Sequence, residues 1–262
     1  IGPAAPPLTR HAMQYYGRAS YWDYRYTNDP EPFDWYQKYS ALKEFLGLYI
    51  RKNDAVLVAG AGNSSLSEEM YQEGITNITN VDISRVVVDQ MQERHRGVTS
   101  MVWQEMDMCA LDFGDASFNV VLDKGTMDSI LCGKGSITNV TSMCMEVSRV
   151  LKSEGIFIIV SYGIPSNRLQ YLQEERYKWR VSVHSVPKPS VTVSSSSSST
   201  TSDAADPTDA GSVHYIYICQ KGPVTSTLTE KGTETGTDWY TQGSEGVQIA
   251  AREITTENQK GL

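Results

Sequence analysis

Four places along the chain carry residues whose type and spacing could hold a small polar ligand. The first is "VLVAGAGNSSLSEEM", Val56 to Met70, where an apolar run enters Gly60-Ala61-Gly62 and a polar, helix-starting segment follows. Glycines at such a turn let the backbone approach a ligand closely and adopt unusual φ angles. A dinucleotide fingerprint would place a third glycine where this chain has Ser65, and Glu68 and Glu69 fall in the first helical turn. Two carboxylates there would repel a pyrophosphate. They complement the helix dipole instead, and Ser65-Leu66-Ser67-Glu68 fits a capping box with Ser65 as N-cap.

The second place is Asp82, at the end of the apolar run "ITNVDI", where a carboxylate can accept both ribose hydroxyls of an adenosine. Asp107 ends a third run, "MVWQEMD", placed to accept a hydrogen bond from an adenine amine while Met108 packs on the ring. Asp123 and Lys124 end a fourth, "FNVVLDKG", in the crevice where open α/β sheets bind ligands. Singly, each has an ordinary structural explanation: a tight turn, an N-cap, a loop aspartate, a solvated charged pair. Four successive strands ending this way point to a nucleoside-type cofactor. A dehydrogenase is the weakest rival, since the third glycine is missing and Asp107 would have no role.

These ends are useful only if alternating strands and helices bring them to one edge. The pattern supplies that alternation. "AVLVAG" reads as a buried strand and Ser65 to Glu73 as a helix; "ITNVDI" is a strand and Ser84 to His95 a helix; "MVWQEMD" and "FNVVLDKG" are strands. Thr138 to Leu151 reads as a helix and "GIFIIVSYG" as a strong buried strand. Such alternation implies βαβ units and a parallel sheet with helices on both faces. Before it, aromatic residues crowd between Tyr15 and Tyr49, with helical spacing through Trp35, Tyr39, Leu42, Phe45 and Leu46. The end differs: "KWRVSVHSV" and "VHYIYICQK" alternate with period two, and only a Ser-rich polar tract separates them. Two strands without a crossover helix must pair antiparallel, which predicts a hairpin interrupted by a disordered insertion.

The domain reading is a flexible arm over 1–14 and one folded domain over 15–222. The disordered Ser-rich insertion occupies 189–211, and a disordered acidic tail runs over 223–262. The net charge of −8 sits mostly in those polar segments: residues 189–211 hold three aspartates and no basic residue, and 222–262 hold six acidic against three basic residues. The folded part is near neutral and lacks the basic stripe that a phosphate backbone needs, so nucleic acid is not an expected partner. No run of ~18 apolar residues occurs, so no membrane span is expected. Cys109, Cys132, Cys144 and Cys219 show no C-x-x-C pairing and suit reduced, cytoplasmic thiols. Asp112-Phe113-Gly114 spells a kinase metal motif without the segments that would accompany it. His11, His95, His184 and His214 have no metal spacing, and His95 is expected to end a helix as a dipole-favoured cation.

With those residues in hand, the chain resembles the class I S-adenosylmethionine-dependent methyltransferases, and within them the methyltransferase-like group that modifies translation elongation factor 1-alpha on lysine. The resemblance rests on "YWDYRY", "FDWY", "VLVAGAGNSSLSEEMYQEG", "VDISRVVVDQMQERH", "MDMCALDFGDASFNVVLDKGTMDSIL" and "EVSRVLKSEG", in that order, with "HYIYICQKG" as the closing strand. It implies a Rossmann-like α/β fold: a seven-stranded, mostly parallel sheet with helices on both faces and an antiparallel C-terminal hairpin. It implies S-adenosyl-L-methionine as cofactor and a protein substrate, elongation factor 1-alpha. The Gly60-Ala61-Gly62-Asn63 loop would cradle the methionine part, where relatives commonly carry Gly-Cys-Gly-Asn. Asp82 would hold the ribose, Ile83 an adenine face, and Asp107 and Met108 the adenine edge, with Asp123 and Lys124 beside the methionine end. Trp22, Arg25, Tyr26 and Trp35 resemble a lid closing over the cofactor. No residue stands out as a general base, and no metal is implied. A small-molecule or N-terminal amine methyltransferase and a non-catalytic cofactor-binding module remain open on the same scaffold. The oligomeric state is not encoded in any motif.

Overall fold

Odd and even residues of the central strands face opposite ways, and that alternation builds two cores on one sheet. The computed structural model describes residues 14–189 and 211–222. The expected N-terminal arm before residue 14, the bulk of the Ser-rich insertion and the acidic tail lie outside the described residues. Strands β1 (Val56–Ala59), β2 (Ile78–Asp82), β3 (Met101–Glu105), β4 (Phe118–Lys124), β5 (Leu151–Ser161), β6 (Trp179–Pro187) and β7 (Val213–Lys221) form one sheet in the order β3-β2-β1-β4-β5-β7-β6. The first five are parallel, and β7 lies antiparallel to both β5 and β6. This is the seven-stranded, hairpin-ended sheet the sequence implies.

Val56, Val58, Val120, Leu122, Ile158 and Val160 face one core, which also takes residues of α1 (Ala19–Asn28), α2 (Tyr39–Leu46), α3 (Leu66–Gln72) and α4 (Arg85–Arg94). Leu57, Ala59, Val121, Phe157 and Ile159 face the other, with α5 (Thr126–Leu131), α6 (Ser136–Val150) and α7 (Pro165–Leu172). Strands covered on both faces read as continuous apolar runs, which is why "VLVA" and "IFIIV" stood out.

Several local expectations are corrected. The capping box does not form: the Ser65 side chain makes no cap hydrogen bond and donates instead to Glu69 Oε1, while Ser64 Oγ accepts from the Leu66 N–H. Ser64 Oγ itself donates to a nearby carboxylate, Asp34 Oδ1. Ser84 does cap α4, accepting from the Val87 N–H. Strand β3 ends at Glu105, so Asp107 stands just past it. Trp35 precedes α2 rather than lying on it, whereas the crowded "YWDYRY" is helical, with Trp22 and Tyr26 one turn apart and buried. His95 ends α4 as expected, yet burial lowers its pKa, so it is a neutral ring stacked on Trp103 rather than a cation. Helices α5 and α7 add to the helices read from the sequence.

Candidate functional site

The sheet order reverses at β1, whose neighbours are β2 on one side and β4 on the other. In open α/β sheets the crevice beyond such a switch point is the natural ligand site. A cavity of about 1130 Å³, counting its open mouth, lies there. Of the sequence-nominated residues it gathers Trp22, Arg25, Tyr26, Trp35, Gly60, Ala61, Gly62 and Asn63, and also Ile83, Met108, Lys124, Asp82 and Asp107. Asp123 alone does not line it.

The floor is the glycine turn. Gly60 and Gly62 both have φ +56°, a conformation that glycine reaches without Cβ strain. A side chain at Gly60 would also strike Thr126 Oγ1, 2.1 Å from the Cβ position, and one at Gly62 would meet the Tyr26 hydroxyl at 2.6 Å. Thr126 Oγ1 donates to the Ala59 carbonyl at 2.8 Å, so the loops after β1 and β4 are fitted to each other.

Asp82 ends β2, with Oδ2 accepting from the Gly62 N–H and Oδ1 from the Ser84 N–H, both at 2.9 Å. An ionised carboxylate has about four acceptor positions, so two remain for hydroxyl donors. Burial raises its pKa to about 6, against the lowering by those backbone N–H groups. Asp107 accepts from the Cys109 N–H through Oδ1 at 2.8 Å and keeps acceptor capacity for an amine. Ile83 and Met108 supply the apolar part of this half.

Asp123 is fully buried and accepts from the Thr126 and Met127 N–H groups at 2.7 and 2.9 Å. It shapes the turn into α5, and burial lifts its pKa to about 7. Its neighbour Lys124 does line the cavity, donating to Asp34 Oδ1 at 2.9 Å and to the Trp35 carbonyl at 3.0 Å.

The remaining wall comes from the N-terminal segment. Trp22 stacks on Tyr26 with centroids 5.8 Å apart, and Trp22 Nε1 donates to the Tyr16 carbonyl at 2.6 Å. Tyr16 and Trp35 rings lie 6.1 Å apart, which closes an aromatic corner. Arg25 pairs with Asp29 at 2.6 Å and lies over the Phe33 ring. Asp23 accepts from Ser84 Oγ and the Val86 N–H, docking α1 onto the start of α4.

Sequence reasoning missed Asp23, Asp34, Tyr36, Tyr16, Thr126, Ser129 and Asp128. Asp34 and Tyr36 sit in the quoted "FDWY" and Asp23 in "YWDYRY", but nothing in those words says which distant residue each meets. Asp128, behind the cavity, accepts from Arg168 at 2.8 Å, from Ser161 Oγ at 2.7 Å and from the Tyr36 hydroxyl at 2.8 Å.

Among the described residues no group of three or more His, Cys, Asp or Glu could hold a metal ion, and no helix is long and apolar enough to cross a membrane. All four cysteines are free.

Residues 57–159 match the methyltransferase domain family. The chain is 38% identical over 187 residues to EEF1A lysine methyltransferase 4 of Mus musculus, covering 68% of this chain and 73% of that protein. It is 43% identical over 150 residues to the eEF1A lysine and N-terminal methyltransferase of Mus musculus, covering 56% of this chain but 22% of that longer protein. Among solved structures, Haemonchus contortus phosphoethanolamine N-methyltransferase 1, in complex with phosphoethanolamine and S-adenosylhomocysteine, shares the fold. Its TM-score is 0.53 at 14% identity, over 85% of this chain and 52% of that one. Geranyl diphosphate C-methyltransferase of Streptomyces coelicolor, in complex with S-adenosyl-L-homocysteine among other ligands, gives 0.50 at 15% identity over 84% and 99%. The chain is therefore a methyltransferase and belongs to the family of the eEF1A lysine methyltransferases.

Proposed function

We propose that the protein transfers a methyl group from S-adenosyl-L-methionine to a lysine side chain of translation elongation factor 1-alpha. The observation that carries this reading is the cavity at the β1 switch point, lined by Asp82, Asp107 and an aromatic corner. Identity to relatives named for that lysine methylation supports the acceptor.

The donor set fits the cofactor part by part. Asp82 retains two acceptor positions for ribose hydroxyls, and Asp107 retains one for the adenine amine. Ile83 and Met108 would supply apolar contact to the base. Gly60 and Gly62 leave the turn without side chains, so the methionine part would meet backbone. Trp22 and Tyr26 offer ring faces to a sulfonium cation, each contact worth ~0.5–2 kcal/mol. When bound, the cofactor supplies an electrophilic methyl group.

The chain's own work is orientation and exclusion of water. A lysine acceptor must lose its proton, against a free pKa of ~10.4. Tyr16, Trp22 and Trp35 form the aromatic corner of the cavity, and none carries a carboxylate. An apolar wall disfavours the ammonium form and lowers the acceptor's pKa, so the amine gives its proton to solvent as it arrives. No catalytic base is assigned.

The test is methyl transfer from labelled cofactor to purified elongation factor 1-alpha, with mass spectrometry of the labelled residue. Label on a lysine side chain, lost in Gly60→Arg and Asp82→Ala, supports the reading. Label that survives both substitutions would sink the pocket assignment. One relative's name joins lysine and N-terminal methylation, which favours an N-terminal amine as the second reading, and label on the factor's N-terminus would select it.

A further inference from the structure

Residues 30–36 form a strap beside the cavity, which Phe33 and Trp35 line, and side chains hold it at three points. Asn63, from the glycine turn, donates to the Glu31 and Pro30 carbonyls and accepts from the Phe33 N–H. At the far end the Tyr36 hydroxyl donates to Asp128, and Tyr36 itself has φ +63°, a strained conformation for an aromatic residue. Asp34 stands between. It accepts from Ser64 on the β1 loop and from Lys124 at the end of β4.

We propose that Asp34 is a positioning residue that latches this strap across both loops at the mouth of the cavity, acting through Lys124. The side chains of Lys124 and Asp34 are 6% and 11% exposed. Both acceptors of the Lys124 ammonium, Asp34 Oδ1 and the Trp35 carbonyl, belong to the strap. Lifting the strap would strip both acceptors from a buried cation, which is strongly unfavourable. The latch therefore favours two discrete arrangements, closed with the ion pair made or open with Lys124 rehydrated, over a gradual fraying. In the closed arrangement Trp35 stays against Trp22 and Tyr16, and the cavity keeps its aromatic side.

Three measurements on the full chain test this. The first is amide hydrogen exchange without any ligand. Asp34→Asn keeps the shape and removes the charge; the bonded Phe33 and Gln37 amides should exchange at least ~10-fold faster while those of α4 and β4 keep their wild-type rates. The second is a cycle: Lys124→Met should loosen the same amides, and the double variant should be no looser than either single one, because the two side chains act as one pair. The third is calorimetry with S-adenosylhomocysteine. Its dissociation constant should rise as the inverse of the closed fraction, ~10-fold for a strap closed about one-tenth of the time. Wild-type exchange rates at Phe33 and Gln37 in Asp34→Asn would overturn the latch, as would faster exchange spread evenly over the sheet. The third arm rests on the cofactor reading, and the first two do not. Absence of binding by the wild-type chain would therefore refute that reading while the exchange data still decide the latch.

Discussion

The two halves of the cavity are built by different means. The half containing Asp82, Asp107, Ile83 and Met108 hangs on the ends of β2 and β3, and its carboxylates are aimed by backbone N–H groups a few residues away or on the adjacent turn. The other half, with Trp22, Trp35, Tyr16 and Lys124, is assembled by a segment that reaches its partners across about ninety residues of chain, as Asp34 does with Lys124 and Tyr36 with Asp128. A strand end is fixed by the sheet, so its geometry survives any one side chain. A strap is fixed by its side-chain contacts, so each contact matters more. Substitutions at the strand-end half should weaken ligand contacts without moving the fold, and those at the strap half should move the wall first.

Gly60→Arg, at the turn shared by both halves, has the largest expected effect. A non-glycine residue at φ +56° costs ~1–3 kcal/mol, and the new Cβ would sit 2.1 Å from Thr126 Oγ1. Thr126 must leave its bond to the Ala59 carbonyl, and the arginine fills the floor. No methyl transfer and no cofactor binding should be detectable, while circular dichroism still reports a folded chain. Residual binding within tenfold of wild type would mean that the turn is not the floor and that the two halves do not meet there.

Asp128→Ala comes next and tests the support behind the strap. It would leave Arg168, buried and 6% exposed, without its carboxylate. Breaking a buried pair from one side costs ~3–5 kcal/mol, which corresponds to a melting temperature lower by ~10 °C for a domain of this size. Thermal denaturation checks it. A fall of less than ~3 °C would show that Ser161 and Tyr162 suffice to hold Arg168, and that the strap half does not depend on this single contact.

The strand-end half can be probed by pH alone. Burial sets the Asp82 pKa to about 6, above the ordinary 3.8. Above that value the carboxylate is ionised and accepts strongly from hydroxyls; as pH falls through it, acceptance weakens. The cofactor dissociation constant should rise by up to ~10-fold between pH 7.5 and 5 in the wild type, one pH unit being one factor of ten for a single group. In Asp82→Asn it should be weaker and flat. Stability has the opposite sign: between 3.8 and about 6 the folded chain keeps a proton that the unfolded chain has lost, so Asp82 subtracts stability as pH rises through that window. Calorimetry across pH separates the two. A flat wild-type profile would remove Asp82 from the contact.

The same contrast explains what the sequence disclosed. "VLVAGAG", "ITNVD" and "VVLDKG" are legible because a buried strand is a continuous apolar run and its last residue must face the sheet's edge. The closing hairpin is legible from period-two alternation without a helix between. Asp123 shows the limit of that logic: ending a strand at the crevice put it beside the cavity, and the tight turn at Gly125, φ +98°, bent its carboxylate into backbone bonding. Asp34, Tyr36 and Asp128 were not legible, because a long-range hydrogen bond leaves no periodic trace in either segment it joins. Trp35 was placed on a helix by spacing alone; its neighbour Tyr36 at φ +63° shows that the helix could not start there.

Tyr36→Phe is the smallest change and the sharpest one for the comparison. It removes a single hydroxyl that donates to Asp128 Oδ2 at 2.8 Å, and leaves that oxygen a second donor, the Tyr162 N–H at 3.2 Å. The Asp128–Arg168 pair survives, so the loss is one hydrogen bond to a charged acceptor, ~1.5 kcal/mol. Burial, with the charge of Asp128, raises the Tyr36 pKa, so the hydroxyl is a protonated donor at any working pH. The ring still packs on His214, 5.0 Å away, and on the face of Gly125. What the hydroxyl alone supplies is restraint on a backbone at positive φ, so its removal lets residue 36 relax and carries Trp35 from the aromatic corner. Melting temperature should drop by only ~3–6 °C, with cofactor affinity down a few-fold and the Asp82 pH dependence unchanged. If affinity falls while the melting temperature holds, the strap wall is set contact by contact. If both stay at wild type, Asn63 and Asp34 hold the strap without Tyr36, and the weight of that half moves from α5 to the glycine turn.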